Sequence, residues 1–327
     1  MKWTSKLLVF ALISCCAALA SAQQKPAVES DVDVIRVSTN LVTVPVSVMD
    51  RNGRFVPDLT QKQFHVYEDG VEQEIAFFET AEKPFTVALL LDTSDSTRFK
   101  LSDIQNAALA FIDQLAPDDR VLVATFDRQI HFLCGATSDR RVLRNAILAA
   151  HTGGGTALYN ALDVIVKERL AQVRGRKAIV LFTDGVDTSS SGATYEGTLH
   201  FAEELDALIY PIQFSTYDDV TKDATAQGLQ VATASGERLD AAYARANRYL
   251  RLLADKSGGR FYYADNTERL RDVFAHIAQE LRHQYSIGYY PKNSRETSTR
   301  KIKIKVDAPG VVISARRAYA YRPATEK

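Results

Sequence analysis

The chain has 327 residues and a formal net charge of zero, because 40 lysines and arginines balance 40 aspartates and glutamates. A balanced charge produces no overall field that attracts nucleic acid or an anionic membrane, so we expect no nucleic-acid partner. The length is sufficient for about two domains with a substantial buried core. Any partner must therefore be recognised by a local site.

The first 22 residues have the pattern of a secretory signal peptide. Two lysines precede an apolar run over residues 7–19, and an Ala-Ser-Ala site at 20–22 predicts cleavage before Gln23. The alternative is a lipoprotein with a lipid on Cys15, which ends a sequence similar to a lipobox. The apolar run is short for a membrane span of ~20 residues, and no later stretch comes close. We therefore predict a secreted or periplasmic protein with no transmembrane segment in the mature chain.

The next part of the chain predicts a flexible leader and then a β segment. Residues 23–33 are polar, which is typical of a mobile terminus. Alternating apolar and polar side chains follow, and Pro45 indicates that the first strand lies at a sheet edge. An intervening Glu-Asp-Gly turn predicts a hairpin between Phe64–Tyr67 and Gln73–Phe78. We assign residues 34–82 to this β segment.

Residues 84–283 alternate continuous apolar runs with amphipathic helical patterns. This alternation is typical of an α/β fold with a doubly wound, mostly parallel sheet. The three residues at 127–129 are too few for a crossover helix, so we predict that the strand Ile130–Leu133 returns antiparallel at the sheet edge. Residues 216–240 have weak periodicity and predict an inserted loop or lid. Parallel strands are predicted at Phe85–Leu91, Val121–Phe126, Ala178–Phe182 and Leu208–Phe214, and helices are predicted near 140–150 and 157–173.

Residues 285–323 return to a β pattern. Lysines at 301, 303 and 305 alternate with apolar residues, and this alternation predicts a solvated strand face that protects an edge from aggregation. Each β segment is too small to bury an apolar face by itself. We therefore predict that the two segments pair into one β-sandwich, into which the α/β domain is inserted.

Oxygen-bearing side chains follow two of the predicted strands. Asp92, Ser94 and Ser96 come after the first central strand, and Asp184 ends another, so both groups belong to the carboxyl edge of the sheet, where α/β folds bind ligands. Thr156 follows three glycines that allow a close approach of the backbone. Five oxygen side chains without His or Cys suit a hard octahedral cation, Mg²⁺ or Mn²⁺, and leave one position for a partner.

Two further aspartates adjoin these loops. Asp95 and Asp187 add negative charge beside the predicted ligands and are candidates for an outer layer that orients them. The alternative is that they cap the local backbone, as aspartates in loops commonly do.

The pattern resembles the metal ion-dependent adhesion site (MIDAS) of von Willebrand factor type A (VWA) domains. The likeness covers residues 84–283 and rests on Asp-x-Ser-x-Ser, a threonine in a Gly-rich loop, and Thr-Asp-Gly. It implies that the hydroxyls of Ser94, Ser96 and Thr156 ligate the metal, that Asp92 and Asp184 bind it directly or through water, and that a partner's Asp or Glu completes the shell.

The flanking segments resemble a secreted group of VWA-related proteins known chiefly from Acidobacteria. The residues that carry this likeness are Phe64–Gly70 and Tyr285–Pro291. The combined resemblance implies an exported adhesion or protein-binding protein that is not an enzyme. A metal-dependent hydrolase is one alternative, but it needs a general base, for which the sequence offers His151 and loop aspartates. A structural envelope protein without metal-dependent binding is the other.

Overall fold

A computed structural model describes residues 41–80, 83–214, 216–226, 232–233, 236–292 and 298–321. The predicted signal peptide and leader lie outside the described residues. No helix within these described ranges is long and apolar enough to cross a membrane.

The amino-terminal flank contains the strands β1 (Val42–Met49), β2 (Phe64–Glu68), β3 (Val71–Gln73) and β4 (Ile75–Glu79).

The predicted hairpin of this flank has a different second strand. Asp69 and Gly70 both have positive φ, 48° and 85°, which closes a two-residue turn and places Val71 opposite Glu68. β2 therefore pairs with β3, and the prediction that Gln73–Phe78 forms the second strand is wrong. The chain leaves this sheet after β3, and β4 joins another one.

The central part of the chain forms a six-stranded sheet in the order β10-β9-β8-β5-β6-β7. All neighbours are parallel except β7, which is antiparallel to β6 at the edge, as the short connection between them predicts. Every residue of β5 is buried, because helices cover both faces of the sheet. The strands are β5 (Thr86–Asp92), β6 (Arg120–Phe126), β7 (Ile130–Thr137), β8 (Lys177–Thr183), β9 (Leu208–Phe214) and β10 (Tyr262–Ala264).

Seven helices are described, and they pack on both faces of this sheet. Polar side chains begin three of them: Asp139, Thr194 and Asn266 each accept a hydrogen bond from a backbone N–H of the first turn. Gly258, with φ of 83°, ends the longest. The helices are α1 (Leu101–Gln114), α2 (Arg140–Leu148), α3 (Leu158–Val164), α4 (Tyr195–Glu204), α5 (Tyr217–Ala226), α6 (Leu239–Ser257) and α7 (Thr267–Arg282).

Two of these helices differ from the sequence prediction. α5 lies inside residues 216–240, which were predicted as a loop or lid. Its apolar residues are few, so its periodicity is weak although the backbone is helical. The helix predicted near 157–173 begins as α3 but continues as a π-helical turn over Ile165–Arg169 and a 3₁₀ turn over Leu170–Gln172.

The carboxyl-terminal flank completes two four-stranded antiparallel sheets together with the amino-terminal flank. The orders are β13-β1-β11-β4 and β14-β12-β2-β3, so each sheet contains strands from both ends of the chain. Val44, Val66 and Ile287 are fully buried within one apolar cluster that draws on both sheets. This arrangement supports the predicted sandwich. Its strands are β11 (Tyr285–Tyr289), β12 (Ser298–Val306), β13 (Val312–Ala315) and β14 (Ala318–Tyr321).

The prediction that Pro45 marks an edge strand is wrong. β1 is an interior strand of its sheet, between β13 and β11. The reason that proline is tolerated is local: Pro45 lies opposite Ser286 of β11, whereas the ladder to β13 begins only at Val46. The carbonyl of Thr43 accepts from Arg316, which follows β13, and residues two apart in a strand direct their backbone groups to the same side. The missing N–H of Pro45 therefore faces the side where β13 has not yet begun, and it interrupts no ladder.

Candidate metal-binding site

Asp92 and the two serines after it form one hydrogen-bonded group at the carboxyl end of β5. The backbone N–H and the hydroxyl of Ser94 both donate to Oδ1 of Asp92, at 3.0 and 2.6 Å. The hydroxyl oxygens of Ser94 and Ser96 are 3.2 Å apart, and Ser96 donates to Oδ2 of Asp184 at 2.6 Å. Four of the five predicted ligands are therefore connected side chain to side chain.

Asp184 follows β8 directly and faces the end of β5. Thr183, the last residue of β8, donates its hydroxyl proton to Oδ2 of Asp92 at 2.6 Å. Gly185 has φ of 86°, and a Cβ atom there would lie 2.8 Å from Cδ1 of Leu250. Only glycine fits this turn without strain, so the Thr-Asp-Gly sequence is required by the backbone as well as by the site.

The Gly-rich loop that carries Thr156 lies between the loops after β5 and β8. The Gly153 N–H donates to the carbonyl of Thr93 at 2.8 Å, and a Cβ atom on Gly153 would collide with the Asp127 side chain. Thr156 is buried, and two hydrogen bonds join its backbone to Thr188. The Thr156 N–H donates to the Thr188 hydroxyl at 2.9 Å, and the Thr156 carbonyl accepts from the Thr188 N–H. The backbone thus anchors Thr156 to the loop that follows β8, whereas the four other residues are joined through their side chains.

The two carboxylates of this site are buried close together. Burial, together with the nearby charge of Asp184, raises the pKa of Asp92 to about 7, although hydrogen bonds from Ser94 and Thr183 act in the opposite direction. Two adjacent buried carboxylates repel each other, and a divalent cation between them would offset both that repulsion and the cost of burial.

The donor set also fits a hard cation. Ser94 and Ser96 give their protons to carboxylates, so lone pairs of their oxygens are left for an ion. The described residues contain no group of three or more His, Cys, Asp or Glu side chains that could hold a metal. A metal at Asp92 and Asp184 would therefore depend on hydroxyl oxygens, which Mg²⁺ and Mn²⁺ accept and softer ions disfavour.

The structure gives different surroundings to the two additional aspartates. A Cβ atom on Gly154 would lie 3.6 Å from Oδ2 of Asp95, so Asp95 adjoins the Gly-rich loop. Asp187 accepts from the N–H of Tyr159 at 3.1 Å and from the hydroxyl of Ser190 at 2.6 Å. Asp187 therefore ties the start of α3 to the loop after β8, which is the capping role that the sequence left open.

Two residues that the sequence analysis did not single out contact the site. Thr216, just before α5, donates to Oδ2 of Asp184 at 2.8 Å, and the Tyr243 hydroxyl on α6 is 2.6 Å from the Thr216 hydroxyl. Burial raises the pKa of Tyr243, and Asp184 raises it further. No local pattern marks these residues, because their contact with Asp184 depends on how α5 and α6 pack beside β8.

Residues 87–187 match the family model described as the von Willebrand factor type A domain. The central part of the chain therefore contains a VWA domain. A "UPF0353 protein" of Mycobacterium sp. (strain KMS) is 26% identical over 214 residues, which are 60% of this chain and 60% of that protein. A protein of the same description from Mycolicibacterium gilvum (strain PYR-GCK) is 25% identical over 215 residues, again 60% of each chain. The likeness to an acidobacterial group stays a prediction.

Solved structures with similar folds include a conserved hypothetical protein BatB from Bacteroides thetaiotaomicron, at 17% identity and a TM-score of 0.45, covering 61% of this chain and 98% of that one. A von Willebrand factor type A protein from Catenulispora acidiphila has 12% identity and a TM-score of 0.46, over 88% of this chain and 75% of that one. Proximal thread matrix protein 1 from the mussel byssus, described with a zinc-occupied MIDAS motif, has 16% identity and a TM-score of 0.46, over 66% of this chain and 50% of that one.

Proposed function

We propose that this chain is an exported protein-binding protein that docks a carboxylate of its partner onto a divalent cation. The cation is Mg²⁺ or Mn²⁺, and the partner is another protein that presents Asp or Glu at the end of the parallel sheet. The residues that hold the ion in this proposal are Asp92, Ser94, Ser96, Thr156 and Asp184.

One observation carries the proposal: the hydroxyls of Ser94 and Ser96 each donate to a buried carboxylate, those of Asp92 and Asp184, and the two hydroxyl oxygens lie 3.2 Å apart. Hydroxyls that donate to carboxylates are already oriented, so little rearrangement is needed when a cation binds. Five oxygen ligands leave one position of an octahedral shell, and a carboxylate from outside suits a hard cation there.

Binding rather than catalysis is part of this proposal. A metal-dependent hydrolase needs a base that accepts a proton near neutral pH. Tyr243 is the phenol next to Asp184, and burial raises its pKa, so it stays protonated near neutral pH and does not supply such a base. His151 hydrogen-bonds to the carbonyl of Ala149, and its ring centroid lies 6.4 Å from that of His131.

Export rests on the amino-terminal pattern of residues 1–22, which lie outside the described residues. We propose cleavage before Gln23 and a location in the periplasm or outside the cell. A docking site for a partner's acidic side chain is consistent with such a location.

The experiment is a comparison of metal binding and partner retention. Titration with Mn²⁺ is expected to show saturable binding that Asp184→Ala abolishes, because removal of one buried carboxylate removes a ligand and its charge. Partner proteins from the native envelope are expected to be retained with Mg²⁺, released by EDTA, and recovered when Mg²⁺ is restored.

Asp113→Asn is the matched control, because Asp113 is an exposed carboxylate on α1 that pairs with Arg144 away from the site. This variant should bind Mn²⁺ and retain partners like the unaltered chain. Retention that neither EDTA nor Asp184→Ala reduces would contradict the proposal, even if Mn²⁺ bound.

A further inference from the structure

The strand β12 changes its neighbour halfway along its length. Residues Ser298–Lys301 pair with β14, whereas Ile302–Val306 pair with β2. These two partners lie on opposite sides of β12, since the sheet order is β14-β12-β2. The second half of β12 is thus paired on the β2 side, and β14 does not extend along its other side.

The directions of the backbone hydrogen bonds show which groups face the open side. The carbonyl of Lys301 accepts from the Asp69 N–H at 2.9 Å, toward β2, and the N–H of Ile302 donates to the Arg317 carbonyl at 2.7 Å, toward β14. Successive residues of a strand alternate in direction. The N–H and the carbonyl of Ile304 therefore point away from β2, into the space beyond the end of β14.

This space exists because the chain crosses between the two sheets. β13 pairs with β1 in one sheet, and Arg316 and Arg317 then lead to β14 in the other. Among the residues that the structure describes, no strand pairing connects β12 with β13. A cavity of about 1080 Å³ lies between them, and its apolar lining includes Ile304 and Ile313.

The cavity is strongly positive. Its lining contains one carboxylate, Asp69, and the buried Arg316 donates its hydrogen bonds to the carbonyls of Leu205 and Thr43, which carry no formal charge. The whole chain has no net charge, so this excess is local. The five cations of the lining are Lys301, Lys303, Lys305, Arg316 and Arg317, and the Arg317 guanidinium lies 3.8 Å from the Asp255 carboxylate.

We propose that this cleft binds an extended acidic segment of another protein, which adds as a β-strand to the open edge of Ile302–Val306. Backbone hydrogen bonds to Ile304 would supply affinity, and side chains would supply selectivity. Alternate residues of a strand share a face and lie roughly 6.6 Å apart. Carboxylates at every second position would therefore face Lys303 and Lys305, and apolar residues between them would face Ile304 and Ile313.

Protection of an edge against aggregation is the other explanation for these lysines. That explanation requires no cavity and no selectivity for a partner. The open volume and its apolar lining at Ile304 and Ile313 favour an occupied edge. The proposed cleft belongs to the flanking sandwich and does not depend on the metal site.

The test uses the full chain and a labelled synthetic peptide that alternates glutamate and valine. Fluorescence anisotropy is expected to show binding that EDTA leaves unchanged. Ile304→Pro removes an N–H that the ladder to β2 does not use, so binding should fall about tenfold or more while the fold is retained. Lys303→Glu should also weaken binding of this peptide and should strengthen binding of a peptide that alternates lysine and valine.

Ile304→Val is the matched control, because it keeps the N–H and the apolar face. It should bind the glutamate peptide like the unaltered chain. If Ile304→Pro does not fold, the charge reversal at Lys303 decides the question alone. Absence of binding, or equal binding of a peptide with the same composition in block order, would overturn the proposal. A concentration-dependent dimer that Ile304→Pro abolishes would assign the edge to a second copy of the chain instead.

Discussion

At the scale of single residues, Asp184 is held by more groups than the motif around it suggests. Its Oδ2 accepts from the hydroxyls of Ser96 and Thr216, at 2.6 and 2.8 Å, and its Oδ1 accepts from the N–H of Val186 at 3.0 Å. The Tyr243 hydroxyl is in turn hydrogen-bonded to the Thr216 hydroxyl, at 2.6 Å. A carboxylate restrained in this way keeps its orientation before any ion arrives.

Thr216→Val tests this restraint. The change preserves shape but removes a hydrogen bond to Oδ2 of Asp184, so we expect Mn²⁺ affinity to fall about tenfold, the lower end of the range for groups that orient metal ligands. Calorimetric titration measures the change. Thr225→Val is the control, because the Thr225 hydroxyl bonds only locally to the carbonyl of Thr221 within α5. Equal affinities for the two variants would show that Thr216 has no orienting role.

At the scale of elements, a histidine on β2 connects both flanking segments. His65 contacts Glu72 of β3 at 2.9 Å and Asp307, just after β12, at 3.0 Å. The hydrogen bonds to Glu72 and Asp307 raise the pKa of His65 above its ordinary value of 6.5. The protonated imidazole is therefore bonded to two carboxylates from different parts of the chain.

This contact makes the stability of the sheet depend on pH. Because the pKa of His65 is higher in the folded state than in the unfolded state, protonation of His65 stabilises the fold. This stabilisation is complete below pH 6.5 and is lost as the pH rises through the folded-state pKa. We expect the melting temperature of the unaltered chain, relative to His65→Gln, to be higher at acidic pH and to converge above the raised pKa. Calorimetry at several pH values measures the difference. A constant difference across the range would show that the charge of His65 contributes nothing.

At the scale of the whole molecule, the two ends of the chain complete each other. β1 pairs with β11 and β13, β2 pairs with β12, and β4 pairs with β11, so three of the four amino-terminal strands have a partner from the carboxyl-terminal flank. The buried carboxylate of Glu68 accepts from the hydroxyls of Tyr289 and Tyr319, at 2.8 and 2.7 Å. Glu280 on α7 accepts from Ser47 of β1 at 3.1 Å, which joins the sandwich to the VWA domain.

Deletion of residues 285–327 tests this dependence. The deletion removes the partners of β1 and β2, and isolated hairpins are marginal in water, so we expect rapid proteolysis within residues 42–80. Limited proteolysis with mass spectrometry identifies the cut sites. Deletion of residues 322–327 alone is the control and should leave the same region protected. Protection of 42–80 in the longer deletion would show that the amino-terminal flank folds without its partner strands.

Local patterns were sufficient for much of the fold. The apolar run before Asp92 predicted a buried parallel strand, and the three-residue connection before Ile130 predicted the antiparallel edge strand, because both follow from neighbouring residues. The same reasoning failed at Pro45 and in residues 216–240, where pairing with distant strands and helix packing override weak local signals.

The sequence by itself determined which oxygen-bearing residues stand at the ends of β5 and β8, because the position of a side chain after a buried strand is a local property. The metal-ligand roles of these residues stay a prediction. Only the tertiary structure decided that Thr216 and Tyr243 hold Asp184 by hydrogen bonds, and that no strand among the described residues covers the edge of β12 beside Ile304. Both features arise from contacts between residues distant in the chain, which depend on how sheets and helices pack together.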